Sequence, residues 1–243
     1  AGTPLVYYAI RMRPTQASLN SLLALLSMPT VDATVKGGCG ATFLHYLTVS
    51  NALRSSALIN EIMMPVVRRV VEMGGSLGET DRDGGTPLVY YASGMEANQA
   101  SLECFLFLLS LRTVDVSRKS KVGRTLLHRL MANGNLHRAS SIKDIIVPIV
   151  RKVVEMGGNL YEGDEHGRTP LMWYLWCMGR SVASVDGVVS LLALPAMDAA
   201  AMDNEGNPAQ YYVNDNENLH RAPHIRDTVL QILAEKQRHL TDV

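Results

Sequence analysis

The chain has 243 residues, of which 47% are hydrophobic and 19% are charged, and its formal net charge is zero. This composition is typical of a folded protein and excludes a disordered one, and a chain without net charge has no strong field to attract nucleic acid. Its three cysteines are widely spaced, and no apolar run reaches the roughly 18 residues of a membrane span. We therefore expect no nucleic-acid or membrane partner and an intracellular, cytoplasmic protein, although delivery into another cell stays open.

The first predicted element is a short helix that begins at the octet GTPLVYYA, residues 2–9. Thr3 can cap the exposed N–H groups of this helix, and the proline that follows suits its first turn. A polar loop comes next, and then a second helix with leucines at positions 19, 22, 23 and 26 on one face. The sequence thus begins with a helix, a loop and a second helix.

The second predicted unit begins near residue 40 and has the same order of elements at greater length. TFLHYL, residues 42–47, predicts its first helix, and a long polar segment separates it from the second. Pro65 precedes the sequence VVRR, so we place it in the first turn of the second helix, with a kink in a longer helix as the alternative. Gly74-Gly75 ends the unit, because glycine readily adopts the left-handed helix cap.

The following units repeat the first two with an offset of 83 residues. GTPLVYYA returns at 85–92, and VVRRVVEMGGSL at 66–77 matches IVRKVVEMGGNL at 149–160, where Pro148 takes the place of Pro65. The motif positions are spaced by 39, 44, 39, 44 and 39 residues. The units start near residues 1, 40, 84, 123, 167 and 206, and the last is degenerate and carries a polar final helix that suits a cap.

Such self-similarity is typical of repeat architectures, in which each unit buries its apolar face against its neighbours. We therefore predict an all-α fold, an α-solenoid of six stacked helix-turn-helix units, forming a single domain over residues 1–243. The first unit begins inside the motif, so we expect an excerpt of a longer chain, with removal of an initiator methionine before Ala1 as the alternative.

The stretch VEMGGNLYEGDEHGRTPLM, residues 154–172, shows the shared order of the units most completely. This order resembles the ankyrin repeat, and the resemblance covers essentially the whole chain. Ankyrin units have about 33 residues, so these are lengthened. Bulky side chains also replace the family's small alanine in the first helix, and we expect them to spread that helix from its neighbour or to turn outward. These residues are Tyr8, Leu47, Tyr91, Leu130 and Tyr174.

The resemblance also implies which residues form the structural motif of each unit. A threonine begins each of the first five units, and a histidine follows it in two of them as a structural hydrogen-bonding residue. These motif residues are Thr3, Thr42, Thr86, Thr125, Thr169, His45 and His128.

No residue pattern predicts catalysis, a cofactor or a metal. Ser140–Lys143 matches the motif S-x-x-K, which one class of enzymes with a nucleophilic serine carries. The S-D-N and K-T-G motifs that accompany it in that class are missing. Acidic residues such as Asp81 and Asp164 recur at turn positions, which favours turn formation over acid–base catalysis. His220, His224 and His239 would form a metal site only if the fold brought them together. We predict a non-enzyme without cofactor or metal, and an enzyme with no recognisable motif is the alternative.

The resemblance implies a scaffold that recognises another protein or peptide through its turn tips and the concave face of its first helices. Trp173 and Trp176 are the only tryptophans, so we expect the fifth unit to dominate binding. Trp173 could instead fill the space that Tyr7 and Tyr90 fill in their units. We expect a monomer or part of a larger chain, and a targeting arm of a larger enzyme or secreted effector is the alternative. The candidate contact residues are Ile10, Arg11, Arg82, Asp83, Ser93, Arg124, Asn133, Glu165, His166, Arg168 and Trp176.

Overall fold

The computed structural model describes residues 4–195 and 197–241, with the side chains of 239–241 left out. The motif residue Thr3 lies outside this range. The regular elements within it are helices, and the only β-type pairing among these residues is an isolated bridge between Met202 and Pro208. In this part of the chain, no helix combines the length and the apolar character needed to cross a membrane. The contacts divide the chain into two compact units, which meet at Asp115 and Val116 in sequence.

The first compact unit is built from paired helices of the first three repeats. Its helices are α1 (Pro4–Arg11) and α2 (Gln16–Leu26), then α3 (Phe43–Val49), α4 (Asn51–Arg54) and α5 (Ile59–Glu72), then α6 (Pro87–Ala92) and α7 (Gln99–Leu109). Helix α3 packs against α1 and α6, while α5 packs against α2 and α7. First helices therefore stack on first helices and second helices on second helices, as a repeat architecture requires.

The second compact unit has the same arrangement in the last three repeats. Its helices are α8 (Leu126–Met131) and α9 (Ile142–Glu155), then α10 (Pro170–Cys177) and α11 (Val182–Leu192), then α12 (Ala209–Asn214), α13 (Glu217–His220) and α14 (Pro223–Thr241), with a 3-10 turn at Leu136–Arg138. Helix α10 packs against α8 and α12, and α11 packs against α9 and α14. The predicted all-α fold class is confirmed for the described residues, and the single-domain boundary stays a prediction.

A glycine two positions before the motif threonine shapes the turn that begins each of the second to fifth repeats. In the third repeat this is Gly84, whose φ of 77° lies in the left-handed region that glycine tolerates best. The N–H of Asp81 donates to the carbonyl of Gly85 across the turn, at 3.0 Å. The N–H of Arg82 donates to the carbonyl of Cys39 in the preceding turn, at 2.9 Å, so successive turn tips are joined through their backbones.

The two motif histidines also link neighbouring repeats. The Nδ1 atom of His45 accepts from the backbone N–H of Thr42 at 3.0 Å, and its Nε2 donates to the carbonyl of Gly85 at 3.1 Å. His128 forms the same pair of bonds with Thr125 and Arg168, at 3.1 and 2.9 Å. Burial lowers the pKa of both imidazoles, which suits the neutral form that this pattern needs.

The expected position of Pro65 and Pro148 in a first helical turn is wrong. Each lies in the middle of a helix of 14 residues, α5 and α9, so the alternative of a longer helix holds. The apolar stripe runs through the proline without a break, and buried residues such as Ile62 and Val66 lie on both sides of it. Packing of this stripe outweighs the backbone hydrogen bond that proline cannot make.

Of the two expected outcomes for the bulky residues at the usual alanine position, the outward turn is wrong for Tyr91 and Tyr174, which point inward. Tyr91 and Tyr174 are fully buried, and their hydroxyls donate to the carbonyls of Ser101 and Ser184 in the first turn of the following helix. Burial in these apolar surroundings raises the pKa of both phenols. Each tyrosine therefore ties the two helices of its own repeat together.

Candidate functional site

A buried carboxylate organises the turn of the fifth repeat. The Oδ1 atom of Asp164 accepts from the backbone N–H groups of His166 and Arg168, at 3.0 and 3.1 Å. Its Oδ2 accepts from the Nε of Arg168 and from the indole Nε1 of Trp173, both at 3.1 Å. Burial opposes ionisation of Asp164, but these hydrogen bonds outweigh it, so the pKa of the carboxyl is lowered. The turn is thus held by an ionised aspartate that is saturated with donors.

Two arginines from successive repeats stack on the tryptophans of α10. The guanidinium carbon of Arg124 lies 4.1 Å from the ring centroid of Trp173, and that of Arg168 lies 4.9 Å from it. Arg168 also lies 5.5 Å from the centroid of Trp176, and the two indole rings are 5.2 Å apart. A guanidinium cation is attracted to the face of an indole ring, and the attraction is stronger where water is partly excluded. We call Arg124, Arg168, Trp173 and Trp176 the Arg–Trp cluster.

Asp164 neutralises one of the two positive charges of the cluster. The Nη2 of Arg168 lies 3.1 Å from Asp164 Oδ2, and the Nε of Arg124 lies 3.6 Å from the same oxygen. The arginine side chains retain 15% and 23% of their exposure, so their outer edges reach solvent. The cluster is therefore prearranged, and little side-chain entropy remains to be lost when a ligand covers it.

An open cavity of about 280 Å³ lies beside the cluster, between the fifth and sixth repeats. Trp176, Tyr211 and Tyr212 form its aromatic wall, and Arg168 contacts it from the cluster. The rings of Trp176 and Tyr212 meet nearly edge to face at 6.0 Å, as do those of Tyr211 and Tyr212 at 5.4 Å. Such a concave aromatic surface with polar groups at its edge is the kind of place where proteins bind ligands.

The structure brings together Arg124 of the fourth repeat and the sequence-predicted residues of the fifth repeat. Arg124, Arg168 and Trp176 belong to the cluster, while Glu165 and His166 are exposed at the turn tip, with 3.7 Å between the His166 Nε2 and a carboxylate oxygen of Glu165. The candidates in the first compact unit are also exposed, but no ring stacking joins them to one another. They are Ile10, Arg11, Arg82, Asp83 and Ser93.

Asn133 needs correction as a contact residue, because it is only 1% exposed. Its side-chain oxygen accepts from the N–H of Asn135, and its carbonyl accepts from the N–H of His137. The residue therefore shapes the loop after α8. The family spacing points into this loop because α8 already ends at Met131.

Sequence reasoning missed the part of the site that the sixth repeat supplies. A recurring pair could have found it, since an aspartate precedes an aromatic residue by nine positions in three repeats. The pairs are Asp81 with Tyr90, Asp164 with Trp173, and Asp203 with Tyr212. In each pair the aromatic donor is bound to the carboxylate, so the spacing marks the same turn-to-helix contact.

The described residues show no grouping of three or more His, Cys, Asp or Glu that could hold a metal ion. His220, one of the histidines considered for a metal, donates from Nε2 to the carbonyl of Asn214. The side chain of His239 lies outside the described residues.

Several solved structures of known proteins are similar to this chain over most of its length. An ankyrin repeat domain from Acinetobacter baumannii is similar over 95% of this chain and 97% of its own, with 17% identity and a TM-score of 0.62. The ankyrin repeat protein EF0377 matches over 95% and 98%, with 15% identity and a TM-score of 0.62. The ankyrin repeat domain of Bcl-3, a member of the IκB family, matches over 97% and 86%, with 17% identity and a TM-score of 0.60. No family model and no curated protein matches the sequence. The similarity in structure, together with the threonine-led turns and paired helices, shows that the chain has the ankyrin-repeat fold.

Proposed function

We propose that the chain is a protein-interaction module that binds a partner protein or peptide through the Arg–Trp cluster and the turn tip beside it. The observation that carries the proposal is the stack of Arg168 on Trp176 at the mouth of an open cavity. The exposed tip residues Glu165 and His166 extend this surface. Tryptophan and arginine are the residue types that most often dominate binding energy at protein interfaces.

The position of the cluster within the repeats supports the same function. The repeats share their capping threonines and turn glycines, which serve the backbone, whereas the Arg–Trp cluster differs from the equivalent residues of the third repeat. Tyr90 stands there in place of Trp173, and Gly85 in place of Arg168. A variable surface on a constant framework is what selective recognition requires.

Selection of random 12-residue peptides displayed on phage, with the immobilised protein as target, tests the proposal. Enriched peptides are then titrated by calorimetry against the wild type, Trp176→Ala and the control Tyr161→Ala, which removes an exposed aromatic outside the cavity. We expect Trp176→Ala to weaken binding by about 2 kcal/mol or more, close to 30-fold, and the control to change it less than twofold. Failure to enrich peptides, or equal binding to both variants, would contradict the proposal.

A further inference from the structure

The cavity beside the Arg–Trp cluster has an acidic edge opposite its aromatic wall. Asp203, Glu205 and Asp215 line it, and the last two are exposed to solvent. Among the residues that the structure describes, none of these carboxylates forms an ion pair. The acidic edge therefore carries negative charge that the chain itself does not neutralise.

The three carboxylates differ in the number of hydrogen bonds that they accept from the protein itself. Asp203 accepts from the backbone N–H groups of Glu205 and Asn207 at 2.9 and 2.8 Å, and from the hydroxyl of Tyr212 at 2.5 Å. Burial opposes its ionisation, but these bonds outweigh it and lower the pKa of the carboxyl. Glu205 accepts one long bond from the Asn207 amide at 3.3 Å, so Glu205 and Asp215 keep most of their acceptor capacity.

The basic residues that touch the cavity do not cancel this charge. Arg168 is bound to Asp164 through both Nε and Nη2, and this carboxylate neutralises its charge. His166 is the other basic group at the cavity, and it lies beside the carboxylate of Glu165. The neighbourhood thus keeps an excess of negative charge.

The aromatic wall is open on the side that faces the cavity. Tyr211 is 46% exposed although it is a large apolar side chain, and Trp176 is half-buried. The negative face of an aromatic ring attracts a cation placed within about 6 Å of it. The aromatic rings and the carboxylates around this cavity therefore both favour a cationic ligand.

We propose that this cavity receives a cationic side chain, arginine or lysine, of the bound partner, whose alkyl stem lies against Trp176 and Tyr211 and whose charged end reaches Glu205 and Asp215. The proposal rests on the protein-binding function proposed above and names the chemistry of the residue that the site selects. It also assigns the sixth repeat a direct role in recognition.

The test uses the Trp176-dependent peptides from the selection described above. Each arginine in them is replaced by citrulline and each lysine by norleucine, and affinities are measured against the wild type and the double variant Glu205→Gln/Asp215→Asn. Asp227→Asn is the control, because it removes an exposed carboxylate that does not line the cavity. Circular dichroism and urea midpoints check that each variant is folded.

We expect one basic residue in each peptide whose neutralisation weakens binding to the wild type at least tenfold and to the double variant less than twofold. The control should retain the full tenfold loss. Both tryptophans lie in the cluster, so indole fluorescence should change on titration only with the basic peptides. Peptides that depend on Trp176 but need no cation, or that lose equal affinity on both proteins, would overturn this inference and leave the proposed function standing. Peptides that do not depend on Trp176 would overturn the proposed function itself.

Discussion

Replacing Asp164 by asparagine should destabilise the second compact unit far more than the same change at the equivalent Asp203. Every group that the Asp164 carboxylate binds is a donor that cannot accept, namely two backbone N–H groups, a guanidinium and an indole N–H. Asparagine keeps the shape but turns one oxygen into an NH₂ group. In either orientation of the amide, this group faces donors.

The size of the effect follows from the contacts that are lost. A hydrogen bond to a charged group contributes about 1.5–3 kcal/mol, and Asp164→Asn removes two of them, to Arg168 and Trp173. The arginines retain some exposure and can partly rehydrate, which reduces the cost. We therefore expect the free energy of unfolding to fall by about 3 kcal/mol.

Asp203 provides the matched control because it occupies the same turn position in the same compact unit. Its Oδ2 binds the hydroxyl of Tyr212 and the side-chain amide of Asn207, at 2.5 and 3.1 Å. A hydroxyl can rotate to accept a hydrogen bond, and an amide can turn to present its oxygen. Asp203→Asn should therefore cost about 1 kcal/mol or less.

Urea unfolding followed by tryptophan fluorescence measures the stability of the second compact unit in both variants, since both tryptophans lie in this unit. With a slope of about 2 kcal/mol per molar urea, the midpoint should fall by about 1.5 M for Asp164→Asn and by at most about 0.5 M for Asp203→Asn. Midpoints that agree within 0.3 M, at unchanged slope, would refute the donor-saturation argument.

Three further predictions concern packing and protonation. Burial lowers the pKa of His137 to about 4, below its unfolded value of about 6.5. About 3 kcal/mol of stability should therefore be lost as the pH falls from 6.5 to 4, because the unfolded state binds the proton more tightly. Urea unfolding measured across this pH range should show a flatter dependence for His137→Gln. Gly187→Ala should lower the unfolding free energy by about 1–2 kcal/mol despite the better helix propensity of alanine, because a Cβ would overlap the hydroxyl of Tyr174. Combining it with Tyr174→Phe should cost less than the sum of the two single substitutions, because the overlapping hydroxyl is then removed. Pro148→Ala should raise the thermal midpoint, since it restores a hydrogen bond to the carbonyl of Asp144 on an exposed helix face, and an unchanged or lower midpoint would contradict this.

The sequence predicted the repeat framework because its signals are local. Thr42, Thr86, Thr125 and Thr169 each precede the first residue of a helix, and a turn glycine with positive φ stands two positions before each. Capping and left-handed turns depend on a few adjacent residues, so the period of the motif alone could place them.

Features that depend on packing were harder to predict. The position of Pro148 was misjudged because its effect on the helix is decided by the apolar stripe of α9, which packs against α11. The inward direction of Tyr174 follows from its hydroxyl bond to Ser184, which lies ten residues away. The contribution of Tyr211 to the site comes from the next repeat, and only the stacking of repeats brings it beside Trp176.

A single exchange in the repeat pattern explains why the proposed site lies in the fifth repeat. In the third and sixth repeats the turn aspartate binds a tyrosine hydroxyl, which can both donate and accept. In the fifth repeat the partner is the indole of Trp173, which can only donate and which offers a larger ring for stacking. Arg124 and Arg168, which directly precede the motif threonines of two successive repeats, both cover that ring and share the same carboxylate. The contact that closes an ordinary turn elsewhere therefore builds a prearranged aromatic and cationic surface here, although the turn glycine keeps the same positive φ in all three repeats.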